Sequence, residues 1–410
     1  MRIGIFSDTY PPFINGVSTS IRMLEDELRK KGHTVYIVTV NSESMKYKQE
    51  GQVLRIPGVP TGIYDYRLTS FYPFKAFNII KEWNLDVIHT QTEFGVGTFA
   101  RVIGKQLDIP VVHTYHTMYE DYVHYITKGH FKSSSKKIVE YITKFYCDKT
   151  IKELIVPTKK TYDLFKQKYK FDRNVHIIPT GINVENFYKE NTDPREIEKL
   201  KKKLGIKENE KTLLYLGRIG KEKSVDFIIE NHIKILEKFP NCKLIIVGDG
   251  PDIDEYKELV KSLEINNKVI FTGKVPWEET KLYYNMADIF VTASKTETQG
   301  LTVVEAMAAS TAVVAVDDES FNTTVIDDLT GYLFNTKEEY IEAIEKLLSS
   351  DELIERMGNQ GRINSLAYSS SFFADRVLSV YKLAIGENGN KDRRLTTRVK
   401  DAFVRGIYGE

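Results

Sequence analysis

Two glutamates separated by seven residues are the first feature of this sequence that could do chemistry. The stretch TETQGLTVVEA (296–306) holds Glu297 and Glu305. Residues eight apart on one continuous helix project about 80° from each other, so one helical face does not explain the pair. Gly300 lies between them and favours a loop that ends where a helix begins. We expect Glu297 before the helix N-terminus and Glu305 about one turn into the helix, on the side of a cleft.

The backbone between these two glutamates could also bind a ligand. Gln299, Gly300, Leu301 and Thr302 would offer N–H groups at the start of the helix. Such donors suit a phosphate or the hydroxyls of a sugar. Glu297 would accept hydrogen bonds in the cleft, and Glu305 could bind a ribose.

Two cations stand in a second stretch, LYLGRIGKEKSVD (214–226), just after an apolar run of strand length. Arg218 and Lys223 would lie around the start of a helix, beside exposed N–H groups. This combination is typical of a diphosphate site, and arginine can bind such a group with two parallel hydrogen bonds. The alternative is that Lys221 and Lys223 belong to a solvated turn.

Three further turns could approach a ligand closely. Asn15-Gly16-Val17 places Gly16 at a helix start, which favours anions, although a glycine there can also be purely structural. VGDGP (247–251) and TGKVP (272–276), which contains Val275, suit contact with a base or ribose. The sequence has neither GxGxxG nor a Walker A motif, which argues against a dinucleotide-dependent dehydrogenase and a P-loop ATPase.

The elements that must position these residues alternate along the chain. RIGIFS, TVYIVTV, LDVIHT and IPVVHTYHT are apolar runs of strand length, and the helical spacing of 17–31 ends at Gly32. The series restarts after IIPTGINVENF (177–187) with KTLLYLGRI, CKLIIVGDG, KVIFTGKV, ADIFVTAS and AVVAVD. The pattern predicts an α/β protein with two Rossmann-like domains, 1–178 and 179–375. Ligands bind beyond the carboxyl ends of such strands, so the loops named above would line a cleft.

Composition agrees with a protein of this kind. The chain has 410 residues, 41% of them hydrophobic and 28% charged, as in soluble proteins of more than one domain. Its two cysteines, Cys147 and Cys242, cannot build a disulfide framework, which favours a reducing cytoplasm. The N-terminus does not resemble a signal peptide, and no apolar run reaches the roughly 18 residues that span a bilayer.

Charge is unevenly distributed. Residues 1–190 hold 27 Lys+Arg and 20 Asp+Glu, a net charge of +7, and the remaining 31 and 37 give −6. Such an asymmetry suggests that the first domain meets an anionic surface, although an excess of this size also arises by chance.

Taken together, these motifs resemble the retaining glycosyltransferases of the two-Rossmann-domain (GT-B) type that are marked by E-x7-E. The resemblance spans nearly the whole chain: Gly16, His116, IPTGIN, Arg218, Lys223, VGDGP, and Glu297 to Glu305. More narrowly, HTQTEFGVG, HTMYEDYVHY and TETQGLTVVEA are similar to bacterial 1,2-diacylglycerol 3-α-glucosyltransferases.

The resemblance implies UDP-glucose as donor, diacylglycerol as acceptor and no cofactor. Arg218 and Lys223 would neutralise the departing diphosphate, and Glu297 would hold sugar hydroxyls. Glu305 would hold the ribose, and His116 would stabilise charge at the reacting centre. Residues 376–410 would form a helical segment that crosses back to the first domain. The enzyme would be cytoplasmic and bound peripherally to the inner face of an anionic membrane, with neither a nucleic acid ligand nor an obligate protein partner.

Other interpretations remain open. Asp252 and Asp254 have the DxD spacing of metal-dependent transferases, but they also suit a helix start. His116, Glu120 and His124 could bind zinc from one helical face. The related alternatives are a transferase with another acceptor, a nucleotide-sugar epimerase and a sugar-nucleotide-binding protein without catalysis.

Two basic segments could attach the protein to lipid. One is KGHFKSSSKKIVEYITKFYCDK (128–149), and the other is the tail KDRRLTTRVKDAFVRGIYGE (391–410). In the tail, Leu395, Val399, Phe403 and Ile407 recur every four residues. This spacing is typical of an amphipathic helix at a membrane surface, but equally of a helix that packs on the first domain.

Overall fold

The computed structural model describes residues 1–13, 15–60, 67–69, 73–93, 95–116 and 151–386. In that part of the chain, two parallel sheets are each flanked by helices, and an antiparallel pair of short strands accompanies the first sheet. The predicted class, α/β with two Rossmann-like domains of the GT-B type, is confirmed.

The first domain begins with a strand and alternates between strands and helices. Its strands are β1 (Arg2–Phe6), β2 (Thr34–Val40), β3 (Lys48–Glu50), β4 (Val53–Ile56), β5 (Gly58–Pro60), β6 (Arg67–Thr69), β7 (Val87–Thr90), β8 (Val111–Thr114), β9 (Glu153–Val156) and β10 (Asn174–Ile177). Its helices are α1 (Gly16–Lys30), α2 (Phe74–Glu82), α3 (Gly95–Leu107) and α4 (Lys159–Asp163), which continues as a π-helical turn, Leu164–Lys168. The sheet order is β10-β9-β8-β7-β1-β2-β4-β3, with β3 antiparallel to β4.

The second domain repeats this alternation. Its strands are β11 (Lys211–Leu216), β12 (Cys242–Val247), β13 (Val269–Gly273), β14 (Ile289–Thr292), β15 (Ala312–Val316) and β16 (Gly331–Phe334). Its helices are α5 (Pro194–Leu204), α6 (Val225–Lys238), α7 (Ile253–Ser262), α8 (Trp277–Met286), α9 (Leu301–Ala308), α10 (Lys337–Leu348) and α11 (Asp351–Ser365). The order β13-β12-β11-β14-β15-β16 is that of a Rossmann fold.

Apolar strands account for this layered arrangement. Every residue of β7, β8, β9, β14 and β15 is buried. Parallel strands with both faces buried need helices on each side of the sheet, which the intervening helices provide. The N-terminus of α1 is capped by Asn15, whose side chain accepts a hydrogen bond from the Ser18 N–H at 2.9 Å.

The chain crosses between the domains twice. The predicted border at 178/179 lies between β10 and α5, in the IPTGIN segment. The return is made by α12 (Ser370–Ile385), which packs against α1, β7 and β8. Phe373, Val377 and Tyr381 of α12 are buried in the core of the first domain. The returning helix therefore begins at Ser370, before the predicted 376, because Ser369 caps its N-terminus. The basic segments 128–149 and 391–410 lie outside the described residues.

Candidate active site

Residues that the sequence analysis singled out lie at the carboxyl ends of strands, near the point in each sheet where the strand order reverses, called the switch point. In the second sheet this switch point lies between β11 and β14. The loop after β11 carries Arg218 and Lys223, and the loop after β14 carries Glu297. In the first sheet the switch point lies between β1 and β7. Ligands of open parallel sheets bind at such points, so the topology brings the predicted residues together.

Lys223 and Glu297 form the central ion pair of the site. The Lys223 Nζ lies 2.5 Å from the Glu297 Oε1, and the two side chains are 11% and 27% exposed. Burial alone would raise the pKa of Glu297, but the Lys223 ammonium, the Ser294 side chain and Lys160 hold it below its usual range. Glu297 is therefore a carboxylate at neutral pH, able to accept hydrogen bonds from hydroxyl groups.

Arg218 is also paired with a carboxylate. Its guanidinium forms an ion pair with Glu222, whose side chain is 3% exposed. In the same turn Lys221 is exposed and pairs with Glu255, with 3.2 Å between Nζ and Oε2. The solvated-turn interpretation thus applies to Lys221 and not to the buried Lys223.

The start of α9 depends on Gly300. Its φ is +72°, and a Cβ at this position would lie 2.2 Å from a ring carbon of Phe321. A side chain there would be both strained and obstructed. The helix consequently opens with the half-buried Leu301 and Thr302. Gly16, at the N-terminus of α1, faces Leu301: a Cβ on Gly16 would lie 4.0 Å from the Leu301 Cδ1. Two helix N-termini thus meet across the cleft.

The side chain of Gln299 bonds to the backbone of Thr180. Its Oε1 accepts the Thr180 N–H at 2.7 Å, and its Nε2 donates to the Thr180 carbonyl at 3.0 Å. The side chain therefore joins the α9 loop to the connection between the domains. A contact of the Gln299 backbone with the donor stays a prediction.

Glu305 lies inside α9 but is buried. The Tyr284 hydroxyl donates to its Oε2 at 2.7 Å. Burial raises the pKa of Glu305 to about 7, in spite of the opposing hydrogen bond from Tyr284. The predicted ribose contact is not tested by this arrangement.

Val275 is half-buried between β13 and α8 and packs against the core of the second domain.

His116, which follows β8 of the first domain, contacts the loop that carries Glu297. Its backbone oxygen accepts the Thr298 hydroxyl at 2.8 Å, beside Glu297. Its Nε2 lies 2.6 Å from the Gln91 Oε1. Burial lowers the pKa of His116 to about 4, although Glu93 acts in the opposite direction, so the imidazole is neutral at pH 7.

Several contacts between the domains have no counterpart in the sequence motifs. The Thr158 hydroxyl donates to the Thr298 carbonyl at 2.8 Å. Lys160 pairs with Asp318 at 2.7 Å and donates to the Lys295 carbonyl at 2.8 Å. The loop that carries Glu297 is thus held by the first domain. Gln91 lies within the quoted HTQTEFGVG, but nothing in that pattern distinguishes it from its neighbours.

Both aspartates of the alternative metal site, Asp252 and Asp254, have partners within the second domain. The Asp252 carboxylate accepts the Lys221 N–H at 2.8 Å, and Asp254 lies 3.6 Å from the Lys257 Nζ. No group of three or more His, Cys, Asp or Glu side chains in the described ranges could hold a metal ion. Glu120 and His124 lie outside those ranges.

Replacing Glu305 by glutamine should stabilise the ligand-free protein increasingly as the pH rises from 4.5 to 7. Because the folded pKa is above the unfolded value, the contribution of the protonated Glu305 is complete below pH 4.5 and lost as the pH approaches 7. A shift from 4.5 to about 7 corresponds to roughly 3 kcal/mol. Melting temperatures across this range measure the difference. The matched control is Glu342→Gln, at an exposed position on α10. A difference in melting temperature between Glu305→Gln and the wild type that does not change with pH would contradict the expectation.

Comparisons with known proteins find a family match in each of the two domains. Residues 196–364 match the family described as "Glycosyl transferases group 1". Residues 14–186 match "Glycosyltransferase Family 4". The two matches together cover both domains.

Full-length relatives carry a more specific name. The chain is 39% identical to an alpha-monoglucosyldiacylglycerol synthase of Streptococcus pneumoniae over 95% of this chain and 87% of the relative. It is 36% identical to the synthase of Acholeplasma laidlawii over 95% and 99%. Among solved structures, sucrose-phosphate synthase from Thermosynechococcus elongatus has a TM-score of 0.74 at 19% identity, covering 94% of this chain and 99% of that one. Anabaena HepE in complex with UDP-glucose has a TM-score of 0.71 at 16% identity, covering 93% and 99%. At these identities the structural likeness concerns the fold.

Proposed function

Because the chain belongs to the group 1 glycosyltransferases, we propose that it transfers glucose, with retention, from UDP-glucose to the 3-hydroxyl of 1,2-diacylglycerol. The product is monoglucosyldiacylglycerol. The observation that carries the proposal is the Lys223–Glu297 ion pair at the switch point, in a loop whose Thr298 hydroxyl donates to the backbone oxygen of His116 in the first domain. This arrangement offers cations for a diphosphate next to a carboxylate for sugar hydroxyls.

The roles follow from charge. The bond from the anomeric carbon to the diphosphate breaks as negative charge grows on the phosphate oxygens. Arg218 and Lys223 stabilise that charge, and the N-termini of α1 and α9 add favourable dipoles. The acceptor hydroxyl attacks from the same face, and its proton passes to the departing phosphate. Glu297 orients the sugar through its hydroxyls, and His116 contacts it from the first domain.

The direct test is incubation with radiolabelled UDP-glucose and diacylglycerol. Formation of a glucolipid with an α linkage supports the proposal. A new nucleotide sugar without transfer indicates an epimerase, and binding without turnover indicates a binding protein. A panel of other lipids, polyols and sugars separates a transferase with another acceptor from these outcomes.

Transfer should not depend on a divalent cation. Arg218, Lys223 and the helix N-termini supply the positive charge that a metal ion would otherwise provide. We expect full activity in EDTA. Loss of activity that Mn²⁺ or Mg²⁺ restores would instead assign a metal to Asp252 and Asp254.

The acceptor remains in a bilayer, so we propose that the enzyme binds peripherally to the cytoplasmic face of the membrane. No helix within the described ranges is long and apolar enough to cross a bilayer. Support comes from the charge of +7 in residues 1–190 and from the basic segments 128–149 and 391–410.

Attachment should be electrostatic. Each basic residue near an anionic surface contributes about 1 kcal/mol, which salt weakens. Co-sedimentation with liposomes should rise with the phosphatidylglycerol content and fall at high salt. Binding that ignores both variables would contradict electrostatic attachment. Deletion of 391–410 assigns the contact: binding that survives the deletion belongs to the first domain.

A further inference from the structure

Gln91 connects two histidines at the switch point of the first sheet. It follows β7 directly and is 3% exposed. Its Oε1 lies 2.6 Å from the His116 Nε2, and its Nε2 lies 3.1 Å from both ring nitrogens of His89. A side chain amide so enclosed has one oxygen and one nitrogen to distribute between two imidazoles.

His89 determines which way the amide points. Its Nδ1 is bonded to the Tyr381 hydroxyl at 2.7 Å and its Nε2 to the Thr114 hydroxyl at 2.7 Å. Both ring nitrogens therefore already have hydroxyl partners. The Gln91 NH₂ group, equally distant from the two nitrogens, lies over the ring face, which attracts a donor. The carbonyl oxygen of Gln91 is left for His116.

This orientation selects one tautomer of His116. An amide oxygen can only accept, so the His116 Nε2 carries the hydrogen. In the neutral imidazole the Nδ1 then has a lone pair and accepts hydrogen bonds. Among the described titratable side chains, Glu93 and His113 act on the pKa of His116, and His116 acts on the pKa of His89. His113 lies 3.1 Å from Glu93.

We propose that Gln91 is a positioning residue that holds His116 as the neutral Nε2–H tautomer, so that Nδ1 accepts a hydrogen bond from a hydroxyl of the donor sugar. The proposal rests on the function given above, in which His116 contacts the sugar. Polar contacts also run from Tyr381 of α12 through His89 and Gln91 to His116, so they connect the returning helix with the site.

Two substitutions at Gln91 test the proposal. Gln91→Leu removes the acceptor and should lower kcat about tenfold, with little change in the donor KM, because the imidazole loses its orientation. Gln91→Glu keeps the size and the acceptor but adds a negative charge. It should raise the pKa of His116 by about 1–3 units, so that activity is lost at low pH and recovers at higher pH. The matched control is Gln167→Leu, an exposed residue bonded to Asp163 at 3.0 Å.

The decisive readout does not need substrate. Nitrogen-15 NMR of labelled histidine reports the tautomer and pKa of His116, identified by its loss in His116→Asn. We expect Nε2–H in the wild type and a changed tautomer ratio in Gln91→Leu. An unchanged His116 signal in both variants, with kcat within twofold of the control, would overturn the proposal. If the wild type transfers no glucose, the proposed function fails, while the NMR result still decides whether Gln91 sets the tautomer.

Discussion

Replacing Glu297 by alanine is expected to lower glucosyl transfer by about 10³-fold while UDP remains bound. The carboxylate is placed to hold sugar hydroxyls, and UDP without glucose does not use that contact. The substitution also frees Lys223 from its 2.5 Å ion pair. The affinity for UDP should therefore stay the same or increase, because the ammonium no longer shares its charge with Glu297. Initial rates and calorimetric titration with UDP measure the two effects separately.

The isosteric variant Glu297→Gln controls for stability. Alanine leaves a largely buried ammonium without this partner, which destabilises the fold, whereas glutamine still accepts a hydrogen bond from Lys223. We expect Glu297→Gln to melt close to the wild type and to lose most of the transfer activity. A Glu297→Ala protein that transfers at the normal rate, or one that loses affinity for UDP, would contradict a role in sugar binding.

The sequence predicted most of the fold because its strands are almost uniformly apolar. β7, β8, β14 and β15 are short buried runs between turns, and such runs are typical of parallel sheets. The runs singled out in the sequence do not include seven of the described strands, namely β3, β4, β5, β6, β9, β10 and β16. β10 has no fully buried residue, and the shortest of these strands are β3, β5 and β6. Each has three residues, and β3 is fully exposed, so no hydrophobic pattern marks it.

The sequence predicts which residues and loops form the candidate site, but it does not predict which side chains pair with each other. Lys223 and Glu297 are 74 residues apart, and only the adjacency of β11 and β14 brings them together. Gln299 illustrates the same limit. The prediction concerns its backbone N–H, whereas its side chain amide bonds to Thr180 where the chain crosses between the domains, a pairing that the sequence does not indicate. Contacts that depend on the packing of two domains leave no local pattern.

Glu305 shows how burial changes a prediction. The E-x7-E spacing places it one turn into α9, and the helix from Leu301 agrees with that position. Its burial depends on how α8 packs against α9, since the Tyr284 that bonds to it lies on α8, 21 residues earlier in the chain. The sequence therefore predicts where the carboxyl group lies, but not that its pKa rises to about 7.

The other large effect is expected at the two cations. In the ligand-free site Arg218 is paired with Glu222 and Lys223 with Glu297, so two positive charges meet two negative ones. A bound diphosphate would compete with these carboxylates for the cations. The carboxylates hold Arg218 and Lys223 in place. Both cations then stabilise the negative charge that grows on the departing UDP.

Arg218→Ala and Lys223→Ala should each lower kcat by roughly 10²- to 10³-fold, on the order of 3 kcal/mol. Steady-state kinetics with varied UDP-glucose measures kcat and the donor KM separately, and calorimetry measures the affinity for UDP. We expect kcat to fall more than the donor KM rises, because the charge to be stabilised is greatest in the transition state. Arg218→Lys should recover only part of the loss, because an ammonium cannot bind two phosphate oxygens in the way that a guanidinium does.

Lys221→Ala is the control within the same turn. Lys221 is 64% exposed, and its partner Glu255 is 59% exposed, so removing this charge should change kcat less than twofold. The comparison separates a buried cation that acts on the leaving group from the general positive charge of the loop. If Lys221→Ala and Lys223→Ala lower kcat equally, the loop acts only through its charge. If both leave kcat unchanged, Lys223 has no part in the departure of the diphosphate, and the ion pair with Glu297 serves only to hold the two loops together.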